Sequence, residues 1–283
     1  MDFSNVRMPS ITSPREGEIR CFALIDSAQA TSLLAHLQTQ SRYIVGFESL
    51  FDGTMEQGQV DVAPYVVEMV DADACGALFR SLSTKLASHG AVSVLASPLP
   101  RTDLAARLRR RLKARLPDDF DCINRYFDGR VTPHLHACLR EEQRAAFFSP
   151  CAEWWVISPE HQWLSLACDF AYHDPSQSTL ELDAPQQAYM IDSLYPYAVI
   201  EHFRETDEEL LDVVPPVERY AFFRGALQAA AEYGIDGGPP AILFCTLTLT
   251  RGPEFHAQLD WQPLLQRVKR SEMTLAQAMK AHP

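Results

Sequence analysis

The chain lacks the short motifs that announce the common nucleotide-binding and catalytic sites. It has no Gly-x-Gly-x-x-Gly and no Gly-Lys-Ser/Thr loop, so no backbone cradle for a dinucleotide or a phosphate tail is written in it. His-Glu-x-x-His is missing, which removes the usual spacing of a zinc site, and so is the Gly-x-Ser-x-Gly turn that exposes a nucleophilic serine. The seven cysteines (Cys21, Cys75, Cys122, Cys138, Cys151, Cys168 and Cys245) are scattered. No pair of them has redox or zinc spacing, and an odd number leaves one unpaired in any disulfide scheme. Buried, reduced thiols in a cytosolic protein are the reading that follows. Neither a metal nor a cofactor is expected.

Long apolar runs are lacking as well. Nowhere do about 18 apolar residues follow one another without a charge. The first residues hold no apolar run ahead of a small-residue cleavage site, so neither signal-peptide export nor a membrane span is expected, and the expected location is the cytoplasm. Positive charge is in short supply: 25 Lys and Arg face 37 Asp and Glu, for a net charge of -12. A surface of that sign repels phosphate backbones and anionic lipid, so neither nucleic acid nor a membrane is an expected partner.

What is present is enough apolar material, 47% of 283 residues, to bury one large core or two modest ones. Strand patterns at 19–25, 43–47, 63–70 and 92–96 are interleaved with helical spacing at 74–88 and 101–115. Short helices at 132–138 and 141–148 and a hairpin over 153–168 follow. Beyond them the chain reads as mainly helical, over 185–203, 217–233 and 274–281, with 241–250 open between helix and strand because of its β-branched residues. The fold class is α/β (α+β): an N-terminal mixed sheet covered by helices and a C-terminal mainly helical lobe. The expected organisation is a loose arm over 1–18, an α/β lobe over 19–172 and a helical lobe over 173–283, with 173–179 as the link.

The interaction residues concentrate around 122–131. Ile123, Arg125 and Phe127 alternate with Asn124 and Tyr126 as in a strand, and Asp128-Gly129 imposes a turn, gathering Arg125, Asp128 and Arg130 at one strand end. Upstream, Leu104, Leu108 and Leu112 line one side of the expected helix 101–115, leaving Arg107, Arg109, Arg110, Arg111 and Lys113 around the rest. Such a run is either a solvated amphipathic helix or a cationic face for an acidic partner segment. Arg125 and Asp128 likewise either pair and fix the turn or meet a partner. Trp154 and Trp155 alternate across a strand, one toward the core and the other available to an interface. His134 and His136 are two apart and diverge on a helix; a hydrolase site assembled around them from distant residues is the competing reading.

Several stretches, Leu24-Ile25-Asp26, Ser49-Leu50-Phe51-Asp52-Gly53, Ala63-Pro64-Tyr65-Val66-Val67-Glu68, Leu108-Arg109-Arg110, Arg125-Tyr126-Phe127-Asp128 and Trp154, occur in an order that resembles domain-of-unknown-function family 4123. The resemblance covers about residues 20 to 160, and Ala229 to Gly234 extends it more loosely. Gly129 stands where that family usually has proline, and Arg107 where it commonly has histidine. The resemblance implies a cytosolic, non-catalytic adaptor of the bacterial type VI secretion system. Its partners would be a cognate toxin effector and the valine-glycine-repeat spike protein onto which the toxin is loaded. Arg107, Arg109, Arg110, Arg111, Arg125, Asp128, Arg130, Trp154 and Trp155 are the expected partner-binding residues.

Overall fold

The computed structural model describes residues 19–30, 32–40, 42–71, 74, 77–78, 89–176 and 179–282. The expected arm over 1–18 lies outside them, and of the expected helix over 74–88 only 74, 77 and 78 lie inside. The chain divides into two compact units, the first ending at Ile191 and the second beginning at Asp192. Residues 179–191 therefore belong with the first unit, beyond the division after 172 that the sequence suggests.

The first unit is built on a six-stranded sheet of β1 (Arg20–Asp26), β2 (Ile44–Ser49), β3 (Pro64–Met69), β4 (Val92–Ser97), β7 (Glu153–Ile157) and β8 (Trp163–Leu166), in the order β2-β3-β1-β4-β7-β8. Its pairings are antiparallel. The mixed pairing that the sequence reading expected occurs in a second, small sheet. There β5 (Lys113–Arg115) lies antiparallel to β6 (Asp121–Ile123) and parallel to β9 (Leu180–Glu181). Strands β3 and β4 are buried at every position and β1 at every position after Arg20, so both faces of each are covered rather than one. Each large apolar side chain taken fully out of water there contributes about 1.5–3 kcal/mol.

The register sets Gly46, Glu68, Phe22, Leu95, Trp154 and Leu166 in one row across the sheet, on one face. Helix α2 (Arg101–Arg109), which follows α1 (Leu33–Thr39) in the chain, lies on that face: Arg101 donates to Glu68 at 3.2 Å. A Cβ on Gly46 would sit 2.5 Å from the Arg101 guanidinium, so the glycine makes room for it. Beside α2, Tyr126 and Phe148 meet the Trp154 ring edge to face, and Phe147 meets both of them in the same way, with centroids 5.1 to 6.1 Å apart. Phe147 and Phe148 end α4 (Glu141–Phe148), and α3 (Thr132–Cys138) precedes it.

Two expected elements are shorter than the apolar spacing predicts. The helix expected over 101–115 ends at Arg109, because Arg111 N–H and Leu112 N–H reach back three residues, to Leu108 and Arg109, and tighten the last turn. The Leu112 carbonyl is then taken by Asn124 N–H at 2.7 Å, and the chain continues as β5. The central strand keeps only 121–123. Asp128 N–H donates to the Arg125 carbonyl at 2.9 Å and turns the chain, so Tyr126 and Phe127 are both buried instead of alternating.

In the second unit the tail of α5 (Ala184–Thr206) is followed by α6 (Glu208–Leu211), α7 (Arg219–Ala231), α8 (Gly238–Arg251), α9 (Gln262–Lys269) and α10 (Leu275–Ala281). The open question over 241–250 resolves as helix α8. Its three threonines, Thr246, Thr248 and Thr250, each donate a hydroxyl to the carbonyl four residues back at 2.9 Å, which accommodates β-branched residues inside a helix. Gly234, at φ 73, turns the chain after α7 in the left-handed region where a side chain is costly.

Two glycines separate these effects. Gly225 lies within α7 with nothing within 4 Å of where a Cβ would stand. Gly225→Ala is expected to raise stability by about 0.5–1 kcal/mol in urea titrations, by restricting the unfolded chain. Gly90→Ala would place a methyl 2.5 Å from Asp128 Oδ1 and 2.9 Å from the Arg130 backbone nitrogen. It is expected to lower stability by about 1–3 kcal/mol in the same titration, as overpacking does.

Candidate functional site

Three groups of charged side chains hold the first unit together, and they absorb most of the residues that the sequence offered for partner binding. At the end of β1, Asp26 is fully buried. It accepts hydrogen bonds from Ala28 N–H at 3.1 Å, Gln29 Nε2 at 2.7 Å and Arg125 Nη2 at 2.6 Å. Burial pushes the Asp26 carboxyl above the ordinary aspartate range, and Arg125 and Gln29 pull it back only in part. The Arg125 guanidinium lies over the Phe127 ring at 5.2 Å, with its outer side in solvent.

Asp128, also buried, takes a second arginine. It accepts from Arg130 N–H at 2.9 Å and is gripped by Arg130 Nη2 at 2.7 Å, whereas Arg125 stands 4.0 Å away. Arg125 therefore pairs chiefly with Asp26 and not with the neighbouring aspartate of its own turn. Gly129 closes the arrangement by donating its N–H to the Gly90 carbonyl at 2.7 Å, with its Cβ position only 3.2 Å from Gly90 Cα. A proline at 129 has no N–H for that bond.

Arg111 forms the second group. Its side chain is 1% exposed and lies at the C-terminal end of α4, donating Nε to the Phe147 carbonyl at 2.7 Å and Nη2 to the Ala146 carbonyl at 2.9 Å. A cation there meets the negative end of the helix and satisfies carbonyls that have no partner within it. Asp174 completes the cage at 2.7 Å. Desolvation raises the Asp174 pKa, but the hydrogen bond and charge of Arg111 outweigh it and hold the carboxyl below its ordinary value. Arg107 donates to the carbonyls of Ala171 and Tyr172, and Arg110, 60% exposed, reaches Asp174 at 3.3 Å.

The third group crosses the sheet face under α2. Arg20 and Arg101 share Glu68, at 2.7 and 3.2 Å, while Arg101 and Arg109 share Glu48, at 3.5 and 3.2 Å. Arg109 also donates to the Ser49 carbonyl at 2.9 Å. The alternating signs form one chain of four ion pairs.

The expected cationic face is thus mostly turned inward: of Arg107, Arg109, Arg110 and Arg111, Arg110 alone is exposed. Trp154 is fully buried, and Trp155 is half-buried with its indole N–H on Glu153 at 3.0 Å. His134 and His136 sit on α3 and diverge. His136 Nε2 lies 3.0 Å from the Ala167 carbonyl and its ring packs on Phe148, whereas His134 faces Tyr189. Two open clefts flank these elements. One, of about 250 Å³, is lined by Phe47, Phe51, Val60 and Tyr65 among others, and one, of about 300 Å³, by Arg140, Gln143, Phe147 and Leu180. Neither histidine lines either cleft. Among the described residues no three His, Cys, Asp or Glu side chains gather as a metal site, and no helix is long and apolar enough to cross a membrane.

Sequence reasoning missed Asp174, Glu48, Glu68, Arg101 and Asp26 as members of these groups. For Asp26 a signal existed, since a carboxylate closing an apolar strand needs a neutralising partner. Asp174 carried none, because its partner is 63 residues distant.

Residues 21–146 match a family model described as "Domain of unknown function (DUF4123)". No curated protein and no solved structure matches the chain.

Asp26 and Asp174 have opposite pH signatures. Asp174→Asn is expected to cost about 3 kcal/mol at neutral pH, because Arg111 stays buried without its counter-charge. Wild type should keep that advantage above pH 3.8, the unfolded value, and lose it as the pH falls below. Asp26, whose folded pKa lies above its unfolded one, binds its proton more tightly when folded. The advantage of wild type over Asp26→Asn should therefore grow as the pH falls from 7 toward 3.8. Urea titrations of the three proteins across that range read both slopes.

Proposed function

We propose, for a chain that belongs through residues 21–146 to the DUF4123 family, that it works as a cytoplasmic adaptor without chemistry of its own. It binds a cognate toxin effector and brings it to the spike protein of a type VI secretion system before export. The observation that carries this reading is the direction of the charged side chains around 101–130. Asp26, Asp128, Glu48, Glu68 and Arg111 meet one another's partners and backbone carbonyls, where they fix the relation of strands, turn and helices. A catalytic centre instead needs titratable groups that converge on space for a substrate. The concavities beside them are open and mixed in polarity, as suits the surface of a protein partner.

In this reading the ion pairs act as fasteners. An adaptor that holds a toxin in one orientation relative to a spike needs a face whose elements do not shift, and buried charge pairs with few alternative partners supply that rigidity. Arg110, exposed at 60% and paired with Asp174 on one side, is the member of the basic run whose guanidinium also faces solvent, where it can meet an acidic partner segment.

The reading is tested by affinity purification of the tagged protein from its host while the secretion system is expressed, with bound proteins identified by mass spectrometry. A toxin together with a spike protein is the expected recovery, and recovery of neither overturns the reading. Arg110→Ala is expected to weaken toxin binding about two- to fivefold with little change in melting temperature, because Arg111 still neutralises Asp174. Arg111→Glu is expected to lower the melting temperature itself.

A further inference from the structure

We propose that the cleft between the outer strand β2 and residues 50–63 is a docking site for an extended segment of a partner protein. That segment places an apolar side chain in the cleft and a lysine or arginine at its rim. The proposal rests on the adaptor reading only in taking the partner to be a protein.

The floor of the cleft is aromatic. Phe47 and Tyr65 meet edge to face with centroids 6.0 Å apart, Phe51 lies beside them, and Val60 stands at the mouth 47% exposed. A space of about 250 Å³ with such a lining takes a large apolar side chain. The Tyr65 hydroxyl donates to the Val60 carbonyl at 3.3 Å, which fixes the loop over the aromatic floor.

Charge decides what accompanies that side chain. Residues 50–63 contain Asp52, Glu56 and Asp61 and no lysine or arginine. Glu56 has Lys113 at 3.9 Å, and Glu48 is held by Arg101 and Arg109. Asp52 and Asp61 are exposed, and among the described residues neither has an ion-pair partner. Asp52 lines the cleft, and both carboxylates stand near enough to Tyr65 to raise its hydroxyl pKa beyond the effect of burial. A cationic residue at the rim meets two unneutralised carboxylates, and an acidic one is repelled by both. An extended segment is the form that fits, because among the described strands β2 is the outer one of its sheet and pairs only with β3.

The test is an array of hexapeptides with a central Leu, Val or Phe flanked by Lys and Arg, by Ser, or by Glu, probed with the full chain. The order basic over neutral over acidic is expected. Asp52→Asn combined with Asp61→Asn should weaken basic-flanked binding about three- to tenfold without changing the melting temperature, and the exposed pair Asp118→Asn with Asp119→Asn should leave it unchanged. Equal binding of basic- and acidic-flanked peptides overturns the proposal, as does wild-type affinity in the Asp52/Asp61 variant. Either of those results with a toxin and a spike protein still recovered from the host removes this cleft and leaves the adaptor reading standing. The expected peptide preference with neither protein recovered does the reverse.

Discussion

The bond between Asp26 and Arg125 is the constraint on which the first unit turns. β1 lies inside the sheet with both faces covered, and it ends in a carboxylate that no water reaches. A buried charge of this kind is tolerable only when a cation and several donors meet it. The cation arrives from 99 residues away, on a turn that must itself be held in place. Asp128 with Arg130, the Gly129 bond to Gly90, and the Thr132 hydroxyl on the Tyr126 carbonyl do that holding. The turn, the start of α3 and the segment before β4 are thereby tied to one strand end.

Arg111 repeats the device at a helix end. The polar groups it satisfies belong to the last turn of α4, and the counter-ion comes from a segment that the sequence reads as a link. Together with the Glu48 and Glu68 pairs, these contacts place charge where apolar packing alone would leave helices free to slide over the sheet. Packing supplies most of the stability of the unit, and the ion pairs select one arrangement of its layers.

How much of this was legible follows from the range of each signal. Apolar runs and their punctuation are local, and they located β1, β3, β4, the β7–β8 hairpin, α3, α4 and α10 closely. The same local signal overran at 101–115, because Leu112 keeps the helical spacing while its backbone is claimed by Asn124 from a neighbouring segment. It underran at β9, where two residues become a strand only because Ala114 and Arg115 lie alongside them. The arginines were seen and their direction was not. Nothing near Arg111 in the sequence records that the carbonyls of Ala146 and Phe147 would sit above it, so a run of five basic residues reads as surface. Gly129 was read as a permissive turn residue, whereas its N–H and the lack of a side chain serve a backbone contact with Gly90.

The place of β1 in the sheet also sets the order in which a ribosome can complete the domain. β1, the first strand among the described residues, is an interior one, whose neighbours β3 and β4 end at Met69 and Ser97. Until residue 97 has left the exit tunnel, β1 has an unfilled edge, and until residue 125 has followed, Asp26 has no guanidinium to meet. Vectorial synthesis thus leaves β1, buried at every position after Arg20 in the finished fold, without its full set of partners for about a hundred residues, an interval of roughly 5–20 seconds at ordinary elongation rates. Closure of the Asp26 pair marks the moment when that exposure ends.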